Sequence, residues 1–552
     1  MRYIKSLLLL LIVVTITSCS KSPVTVFING KIYSLDANNT VYEAMAVRDG
    51  KIIEIGTTAK VKEKYDTKDV VDLNGKTVIP GFTDMEGSLV EFAKNLNFIN
   101  FANVKTIEEV QKIISDNSKV RKEGSWVVGY ALNEMNFKED DLLKFNKSLL
   151  DAVAPNHNVY IVNITGDMVW ANSKLLQLLQ ITNLTPDPKD GEIEKNEKGE
   201  ITGLLFDKAV NLVKEKSPEI SKEDLSNSLQ LATLELAKYG ITEVHDRTVN
   251  KEAINLFKQN IDSNKFAIKM YGILSAGDET FEEYLGKGIE VNYKDYLTVR
   301  AVSIDYDGAL SLQAASMNDK YKVDGKNTFL YATDEEIETN FRKAIDKSFQ
   351  FYIKSVGDKA VTNNLNILEK VIKEKNPKDH RTVLEYLEFV LPNDLNRIGS
   401  LKIIPSVRPE ETILNIEVLT DFVPETNANN LGMWNSMLQN SKYIVAGSNF
   451  PYGNFISPVI LIHLLVNRQP LDTNMSNIPN MNQKLPVLEA IKSFTVYAAY
   501  AGFEEKTKGT LEKDKYADFV VLSDDIFTFD VKKIKDIKVL KTVVNGKIVF
   551  GK

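Results

Sequence analysis

The segment VIPGFTDMEGSL, residues 78–89, joins a short apolar run to a polar and acidic one. The apolar residues before Pro80-Gly81 indicate a buried strand, and the polar residues after them indicate a loop at its end. In many hydrolases such a strand end carries metal-binding imidazoles. Here the loop contains Glu86 and Ser88 but no histidine. The segment therefore predicts either an active site or the remains of one.

Short strands and tight turns lie on both sides of this segment. Pairs of residues that accept positive φ separate short apolar runs at Asn29-Gly30, Asp49-Gly50, Asn74-Gly75 and, near the other end, Asn545-Gly546. Such pairs are typical of two-residue hairpin turns, so we expect a β-hairpin at each of them. Because both ends of the chain are rich in β-patterns, we expect them to build one small β-sandwich together.

The middle of the chain alternates between helical and strand patterns. Ser221 and Thr333 each stand three residues before an acidic residue, as at the start of a helix. Each helical pattern is followed by a strand pattern, over residues 241–244 and 349–355. Repeated units of this kind predict the α/β class, with a parallel sheet or a (β/α)₈ barrel whose chemistry lies on the loops after the strands.

Length and composition are those of a large globular chain. The 552 residues suffice for a barrel with an accessory domain, and 43% hydrophobic and 26% charged residues are ordinary values. The net charge of -7 and the pI near 5.5 argue against binding of nucleic acid, which requires a basic face.

The first residues predict export. Residues 1–5 include two basic side chains, Arg2 and Lys5, and residues 7–16 form an apolar run that is too short to span a bilayer but suits a signal peptide. The run ends in ITSC, which resembles the lipobox of bacterial lipoproteins, with Cys19 as the lipidated residue. We therefore expect residues 1–19 to be a lipoprotein signal peptide, and the protein to be a bacterial cell-envelope lipoprotein held to the membrane through Cys19. The alternative is an ordinary secretory signal that contains a cysteine.

An ordered set of motifs carries a resemblance to a known family. From residue 77 to residue 522 they read TVIPGFTD, GSWVVGYALNE, MVWANSKLL, TPDPKDGEIEKNEKGEITGLL, DYDGALSLQAA, IKSVGDKAV, GSNFP and KGTLEKDKYADFVVL. Together they resemble the amidohydrolase superfamily, in particular its "amidohydrolase 3" group of metal-dependent hydrolases of C–N bonds. The resemblance implies a (β/α)₈ TIM-type barrel with insertions over 80–505, and a small β-sandwich built from 20–79 and 506–552.

Other residue types stand at the positions where the resemblance places the family's metal ligands. The family would use zinc or another divalent metal, held by histidines, an aspartate and a bridging lysine. The replaced positions are Glu86, Ser88, Ser303, Lys354, Tyr386 and Asn449. In the surrounding pocket, Asp167 occupies the position of a site histidine of the family, and Gln313 occupies the position of an arginine.

The histidines themselves do not form a zinc-binding pattern. The chain has four, and His245 is the one at the end of a predicted strand. Glu86, His245 and Asp307 would be the remaining donors in the pocket, and a lysine at position 354 would repel a cation placed beside it. The sequence therefore predicts that the protein uses no metal and no other cofactor.

The replacements suggest a charge pair in place of the metal. Lys354 would supply the central positive charge and pair with Glu86, with Tyr386 close by. Such a pair can support general acid–base chemistry if burial tunes the lysine, and Tyr386 and Asp358 would assist. The sequence names no nucleophile.

Three hypotheses about function follow. The first is an amidohydrolase-like lipoprotein that has lost its metal centre and binds a small, amide-like ligand or a partner at the cell envelope. The second is a divergent hydrolase of non-peptide C–N bonds with a rebuilt site. The third is a structural surface lipoprotein.

Overall fold

The computed structural model describes residues 22–163, 166–217, 220–247, 249–322, 330–471 and 478–551. Cys19 and the predicted signal peptide lie outside these residues. Within the described part of the chain, no helix combines the length and the apolar character that crossing a membrane would require.

The strands are numbered in chain order. They are β1 (Thr25–Ile28), β2 (Lys31–Tyr33), β3 (Val41–Tyr42), β4 (Ala44–Arg48), β5 (Lys51–Gly56), β6 (Val70–Asp72), β7 (Thr77–Pro80), β8 (Phe82–Gly87), β9 (Ile99–Asn100), β10 (Trp126–Leu132), β11 (Asn158–Asn163), β12 (Met168–Ala171), β13 (Gly191–Lys195), β14 (Ile201–Asp207), β15 (Ile241–Asp246), β16 (Lys269–Ser275), β17 (Glu290–Tyr293), β18 (Leu297–Asp305), β19 (Gln350–Ser355), β20 (Val383–Tyr386), β21 (Ile404–Val407), β22 (Val445–Ala446), β23 (Phe519–Leu522), β24 (Val539–Val544) and β25 (Lys547–Phe550).

The α-helices are numbered in the same way. They are α1 (Thr58–Lys64), α2 (Leu89–Asn95), α3 (Ile107–Lys119), α4 (Glu139–Leu142), α5 (Lys147–Asp151), α6 (Ser173–Leu178), α7 (Asn211–Lys214), α8 (Lys222–Lys238), α9 (Lys251–Asp262), α10 (Glu279–Lys287), α11 (Asp334–Asp346), α12 (Asp358–Lys375), α13 (Pro392–Ser400), α14 (Pro409–Phe422), α15 (Trp434–Ser441), α16 (Pro458–Asn467), α17 (Val487–Ser493) and α18 (Val496–Ala501).

A parallel barrel forms the centre of the molecule. Its strands follow the order β8-β15-β16-β18-β19-β20-β21-β22, and β17 adds an antiparallel strand to β18. The loop after β22 closes the ring, because Asn449 donates its backbone N–H to the carbonyl of Glu86 at 2.9 Å, and Ser88 donates to Phe450 at 3.0 Å. The predicted α/β barrel is confirmed.

The predicted helix starts also form, and each supports a barrel unit. The Ser221 side chain caps α8 by accepting from the N–H of Asp224, and Thr333 with Glu336 forms a reciprocal capping box at α11. Each helix leads into a barrel strand that points its carboxyl end toward the same face. This arrangement brings the residues after every strand together at one end of the barrel.

Both ends of the chain build a β-sandwich, as predicted. One sheet has the order β5-β4-β1-β6 and the other β25-β24-β23-β7-β2-β3. Their inner faces share one apolar core, in which the rings of Phe27 and Phe519 meet edge to face with centroids 5.0 Å apart. Strand β7 runs directly into β8, so the sandwich and the barrel are joined at the segment that holds Glu86.

Two of the four expected hairpins are wrong. The turns at Asp49-Gly50 and Asn545-Gly546 do connect antiparallel partners, β4 with β5 and β24 with β25. At Asn29-Gly30 and Asn74-Gly75 the chain instead crosses from one sheet of the sandwich to the other, so β1 pairs with β6 and β2 with β7, both in parallel. The positive φ of Asn29 and Asn74 makes a turn, but a turn alone does not select the strand's partner.

The long insertion after α2 forms a layer of its own. Residues 99–207 contribute a six-stranded sheet with the order β13-β14-β12-β11-β10-β9. Two apolar clusters flank it, and in one of them Trp170 stacks on Phe145 with ring centroids 4.4 Å apart. None of the six replaced ligand positions lies in this layer.

Candidate functional site

A cavity of about 640 Å³ opens at the carboxyl ends of the barrel strands. The positions that the resemblance assigns to metal ligands meet at this cavity although they come from the ends of five different barrel strands. Those residues are Glu86, Ser88, Ser303, Lys354, Tyr386 and Asn449.

Glu86 binds an arginine that the sequence analysis did not single out. The carboxylate is 1% exposed at the end of β8, and Arg408 follows directly on β21. Arg408 donates from Nε to Oε2 of Glu86, and its Nη2 contacts Oε1, so both carboxylate oxygens are engaged. The guanidinium carbon also lies 3.3 Å from the ring centroid of Tyr386. A planar, bidentate pair of this kind is among the stronger polar contacts in proteins.

A second guanidinium, Arg247, connects three acidic side chains from three strands. It follows β15, and its Nη1 lies 3.7 Å from Oε1 of Glu86. Its Nη2 donates to Asp305 at the end of β18, and its Nε lies 3.1 Å from Oε2 of Glu385 on β20. Two arginines and three acidic residues therefore form one network across the floor of the cavity.

Lys354 stands apart from this network. Its ammonium nitrogen lies 4.6 Å from the ring centroid of Tyr386, and no carboxylate of the described residues is within ion-pair distance of it. The expected pair between Lys354 and Glu86 is therefore corrected. Both oxygens of Glu86 are taken by Arg408, whose longer, forked group reaches the carboxylate from β21.

Burial changes the protonation of the acidic groups in the floor. It raises the pKa of Glu385 to about 8, the charge of Arg247 opposes this, and the charge of Glu86 adds to it. Burial also raises the pKa of Asp305, but Arg247 and Lys354 outweigh it and hold that pKa below its ordinary value. At neutral pH the network therefore carries a proton on Glu385 and a negative charge on Asp305.

The donor set around the cavity does not suit a divalent cation. Zinc requires about four nitrogen, sulfur or carboxylate donors around one point. Here Glu86 and Asp305 are engaged by guanidinium groups, and Arg247, Arg408 and Lys354 would repel a cation. No mechanistic step through a metal follows from these residues.

A second acidic cluster lies deeper in the barrel. Glu243, His245 and Glu504 offer donor atoms that all lie within 4.8 Å of one another. The ammonium of Lys508 also contacts Glu243 and lies 2.6 Å from Oε2 of Glu504. Lys508 is therefore already paired with both carboxylates of this cluster.

His245 itself lies one layer below the cavity. Its Nδ1 is 3.1 Å from the hydroxyl of Tyr352, and its ring stacks on Tyr271 with centroids 4.1 Å apart. Tyr352 precedes Lys354 by two residues on β19, so both face the barrel interior at successive levels. Burial lowers the pKa of His245 to about 4, so the imidazole is neutral. The expected place of His245 in the pocket is corrected to the barrel core.

The other expected pocket residues hold loops in place. Asp307 is buried and accepts backbone N–H groups from Ser316, Val356 and Gly357 at 2.7–2.9 Å. Asp358, at the start of α12, accepts the N–H of Asn318 at 2.8 Å. Neither lines the cavity.

Gln313 and Asp167 are also outside the cavity wall. Gln313 ends a short 3₁₀ turn in a left-handed conformation, with φ of 52°. Asp167 belongs to the inserted layer, where it accepts from the side-chain amide of Asn163 at 2.7 Å. The alignment with the family's histidine and arginine therefore does not carry these two positions into the site.

The residues that were missed share one signal that the sequence does contain. Arg247 is the first residue after β15, Arg408 the first after β21, and Asp305 the last of β18. In a parallel barrel these are the places that face the active-site end. Reading every strand end for charged residues, rather than only the positions aligned with metal ligands, would have found them.

Comparison with known proteins identifies the family. The model of the amidohydrolase family matches residues 69–550, so the chain belongs to that family. It is 29% identical to Protein LONG AFTER FAR-RED 3 of Arabidopsis thaliana, over 95% of this chain and 91% of that protein. It is 26% identical to the N-substituted formamide deformylase of Arthrobacter pascens, over 94% of this chain and 97% of that enzyme.

Solved structures agree on the fold. An uncharacterized metal-dependent hydrolase from Pyrococcus horikoshii superimposes with a TM-score of 0.73 at 22% identity, covering 92% of this chain and 99% of the other. The corresponding protein from Pyrococcus furiosus gives a TM-score of 0.73 at 20% identity, with coverage of 92% and 100%. Identities this low support the shared fold and nothing finer.

Proposed function

We propose that this amidohydrolase-family protein binds a small organic ligand in the barrel cavity and uses no divalent metal. The observation that carries the proposal is the bidentate pair between Arg408 and Glu86, at the first of the family's ligand positions. A guanidinium there supplies the positive charge that a metal would supply, and it neutralises the carboxylate that would bind one. The cavity stays open at about 640 Å³, a volume suited to a small molecule.

Metal analysis and ligand binding on one preparation test both parts. The chain without residues 1–19 is purified from medium supplemented with zinc, manganese or iron, and its metal content is measured by mass spectrometry. We expect much less than one metal per chain. Amides, formamides and small carboxylates are then titrated by calorimetry, with Arg408→Met as the variant that opens the floor. One chelator-removable metal per chain, or a panel that finds no ligand, would contradict the proposal.

A divergent hydrolase of non-peptide C–N bonds is the second candidate. Two observations favour it: the similarity to an N-substituted formamide deformylase, and a carboxyl group, Glu385, whose pKa of about 8 suits acid–base work near neutral pH. Lys354 and Tyr386 at the cavity would assist. Turnover of N-substituted formamides that persists in excess chelator and is lost in Glu385→Gln would establish this candidate.

We also propose that the protein is a lipoprotein of the bacterial cell envelope, anchored through Cys19. The apolar run over residues 7–16 followed directly by ITSC supports this. Metabolic labelling with a radioactive fatty acid should mark the full-length chain and leave Cys19→Ala unlabelled.

A further inference from the structure

A second recess adjoins the barrel cavity, and it is more apolar. It encloses about 660 Å³ and shares Arg408, Asn449 and Tyr452 with the cavity. Leu312 is 74% exposed there, Leu414 46% and Tyr452 67%. Exposed large side chains grouped beside a ligand cavity are typical of a binding surface, because contact with a ligand removes them from water.

Lys354 lines the cavity, and among the described residues no carboxylate pairs with its ammonium group, which lies 4.6 Å from the ring centroid of Tyr386. The acidic side chains whose electrostatic influence reaches it are Asp305, Asp307 and Glu411. Each of them has another partner: Asp305 accepts from Arg247, Asp307 accepts three backbone N–H groups, and Glu411 lies 3.5 Å from Nη1 of Arg408.

The surroundings of Lys354 favour a ligand with a single negative charge. Asp305 and Glu411 would repel a doubly charged group such as a phosphate monoester more strongly than a carboxylate. Glu336, at the cavity rim, is held by the backbone N–H and the hydroxyl of Thr333 at 2.8 and 2.9 Å, so it is not the partner of Lys354. One carboxylate on the ammonium would complete the charge pairing of the site.

We infer that the ligand is a monocarboxylate with a short apolar chain or ring, which places its carboxylate on Lys354 and its apolar part against Leu312, Leu414 and Tyr452. This inference rests on the proposed ligand-binding function and names the class of ligand. The shared wall of Arg408, Asn449 and Tyr452 makes the polar and apolar parts one continuous site.

A homologous series of ligands tests the inference. Acetate, butyrate, hexanoate and octanoate are titrated by calorimetry beside two molecules of matched length, hexanol and hexylammonium. We expect affinity to rise about fourfold for each methylene that is buried, until the recess is filled. Hexylammonium should not bind, and hexanol should bind more weakly than hexanoate.

Variants of exposed or half-buried side chains separate the two parts of the site. Lys354→Met should weaken the binding of hexanoate about tenfold or more and change the binding of hexanol little. The substitution removes a charged hydrogen-bond donor and keeps the length of the side chain. The matched control is Lys347→Met, at an exposed position just after α11 at the opposite end of the barrel, and it should change neither. Leu312→Ser and Leu414→Ser should reduce the gain in affinity per methylene and leave the affinity for acetate unchanged.

The outcomes distinguish this inference from the function on which it rests. Hexanoate that binds no better than hexanol, or equally well in Lys354→Met, overturns the carboxylate assignment. If amides or formamides bind, Tyr452→Ala weakens their binding, and no carboxylate binds, then the ligand-binding function stands and this inference fails. If nothing in either panel binds, both fail.

Discussion

Removal of both partners of the pair between Glu86 and Arg408 should destabilise the barrel no more than removal of either one alone. In Arg408→Met, the carboxylate of Glu86 stays buried and keeps Arg247, whose Nη1 lies 3.7 Å from its Oε1. In Glu86→Gln, Arg408 keeps its ring contact with Tyr386 and its distance of 3.5 Å to Glu411.

The expected magnitude follows from what remains around each stranded charge. Breaking a buried pair from one side costs about 3–5 kcal/mol. Because Arg247 or Glu411 partly compensates, we expect the lower end, about 3 kcal/mol for each single variant. The double variant leaves no stranded charge and should also lose about 3 kcal/mol, which makes the coupling energy about 3 kcal/mol.

Urea unfolding followed by circular dichroism measures the cycle, with the transition midpoint and slope compared among the four proteins. A second cycle, with Glu86→Gln and Lys354→Met, is the matched control. No ion pair joins these two residues, so their effects should add to within about 0.5 kcal/mol. Additive losses in the Arg408 cycle together with strong coupling in the Lys354 cycle would refute the assignment of Arg408 as the partner of Glu86.

Three further predictions test the surroundings of this pair. Glu385 has a pKa of about 8 in the folded protein, above its value in the unfolded chain, so its contribution to stability is present below about pH 4.5 and is lost as the pH rises to 8. The free energy of unfolding, measured from pH 5 to 8, should therefore decline less in Glu385→Gln than in the wild type. Asp307→Ala leaves three backbone N–H groups without their acceptor, so a loss of about 3 kcal/mol or more in the urea midpoint is expected, and an unchanged midpoint would remove its role in the loop. In Gly447→Ala the added methyl group would lie 2.5 Å from Cβ of Glu86, so stability should fall by about 1–3 kcal/mol and ligand affinity should fall with it; unchanged affinity would show that the position of Glu86 does not shape the cavity.

The architecture could be predicted because local sequence patterns specify its helices and strands. Capping residues such as Ser221 and Thr333 mark helix starts, and the strands between the helices lead to the parallel barrel. The crossing turns at Asn29 and Asn74 could not be predicted from the same signals. Positive φ specifies the bend of the backbone, but the choice between a hairpin and a crossing depends on which sheet the next strand joins, and that is decided by packing far along the chain.

The site was predicted in part for a related reason. Lys354 and Tyr386 line the cavity as predicted, because each lies at the end of a strand whose motif can be recognised from the local sequence. The partner of Glu86 lies 322 residues away, and the chain offers many basic residues between them. Only closure of the barrel brings β21 close enough to β8 for Arg408 to reach Glu86, so a reading of single motifs assigned that role to Lys354 instead.

The charge network also bears on the choice between binding and catalysis. A general base must reach its substrate and exchange its proton with solvent or ligand. Arg408 engages both carboxylate oxygens of Glu86. Glu385 is fully buried, and its partner is Arg247. Arginine keeps its proton at any physiological pH, so Arg247 cannot take up a proton from Glu385. Lys354 lies outside this network, and no carboxylate of the described residues pairs with it, so its ammonium is better placed to anchor an anion than to act as a base. The same network that neutralises Glu86 therefore favours a site that holds its ligand over one that transforms it.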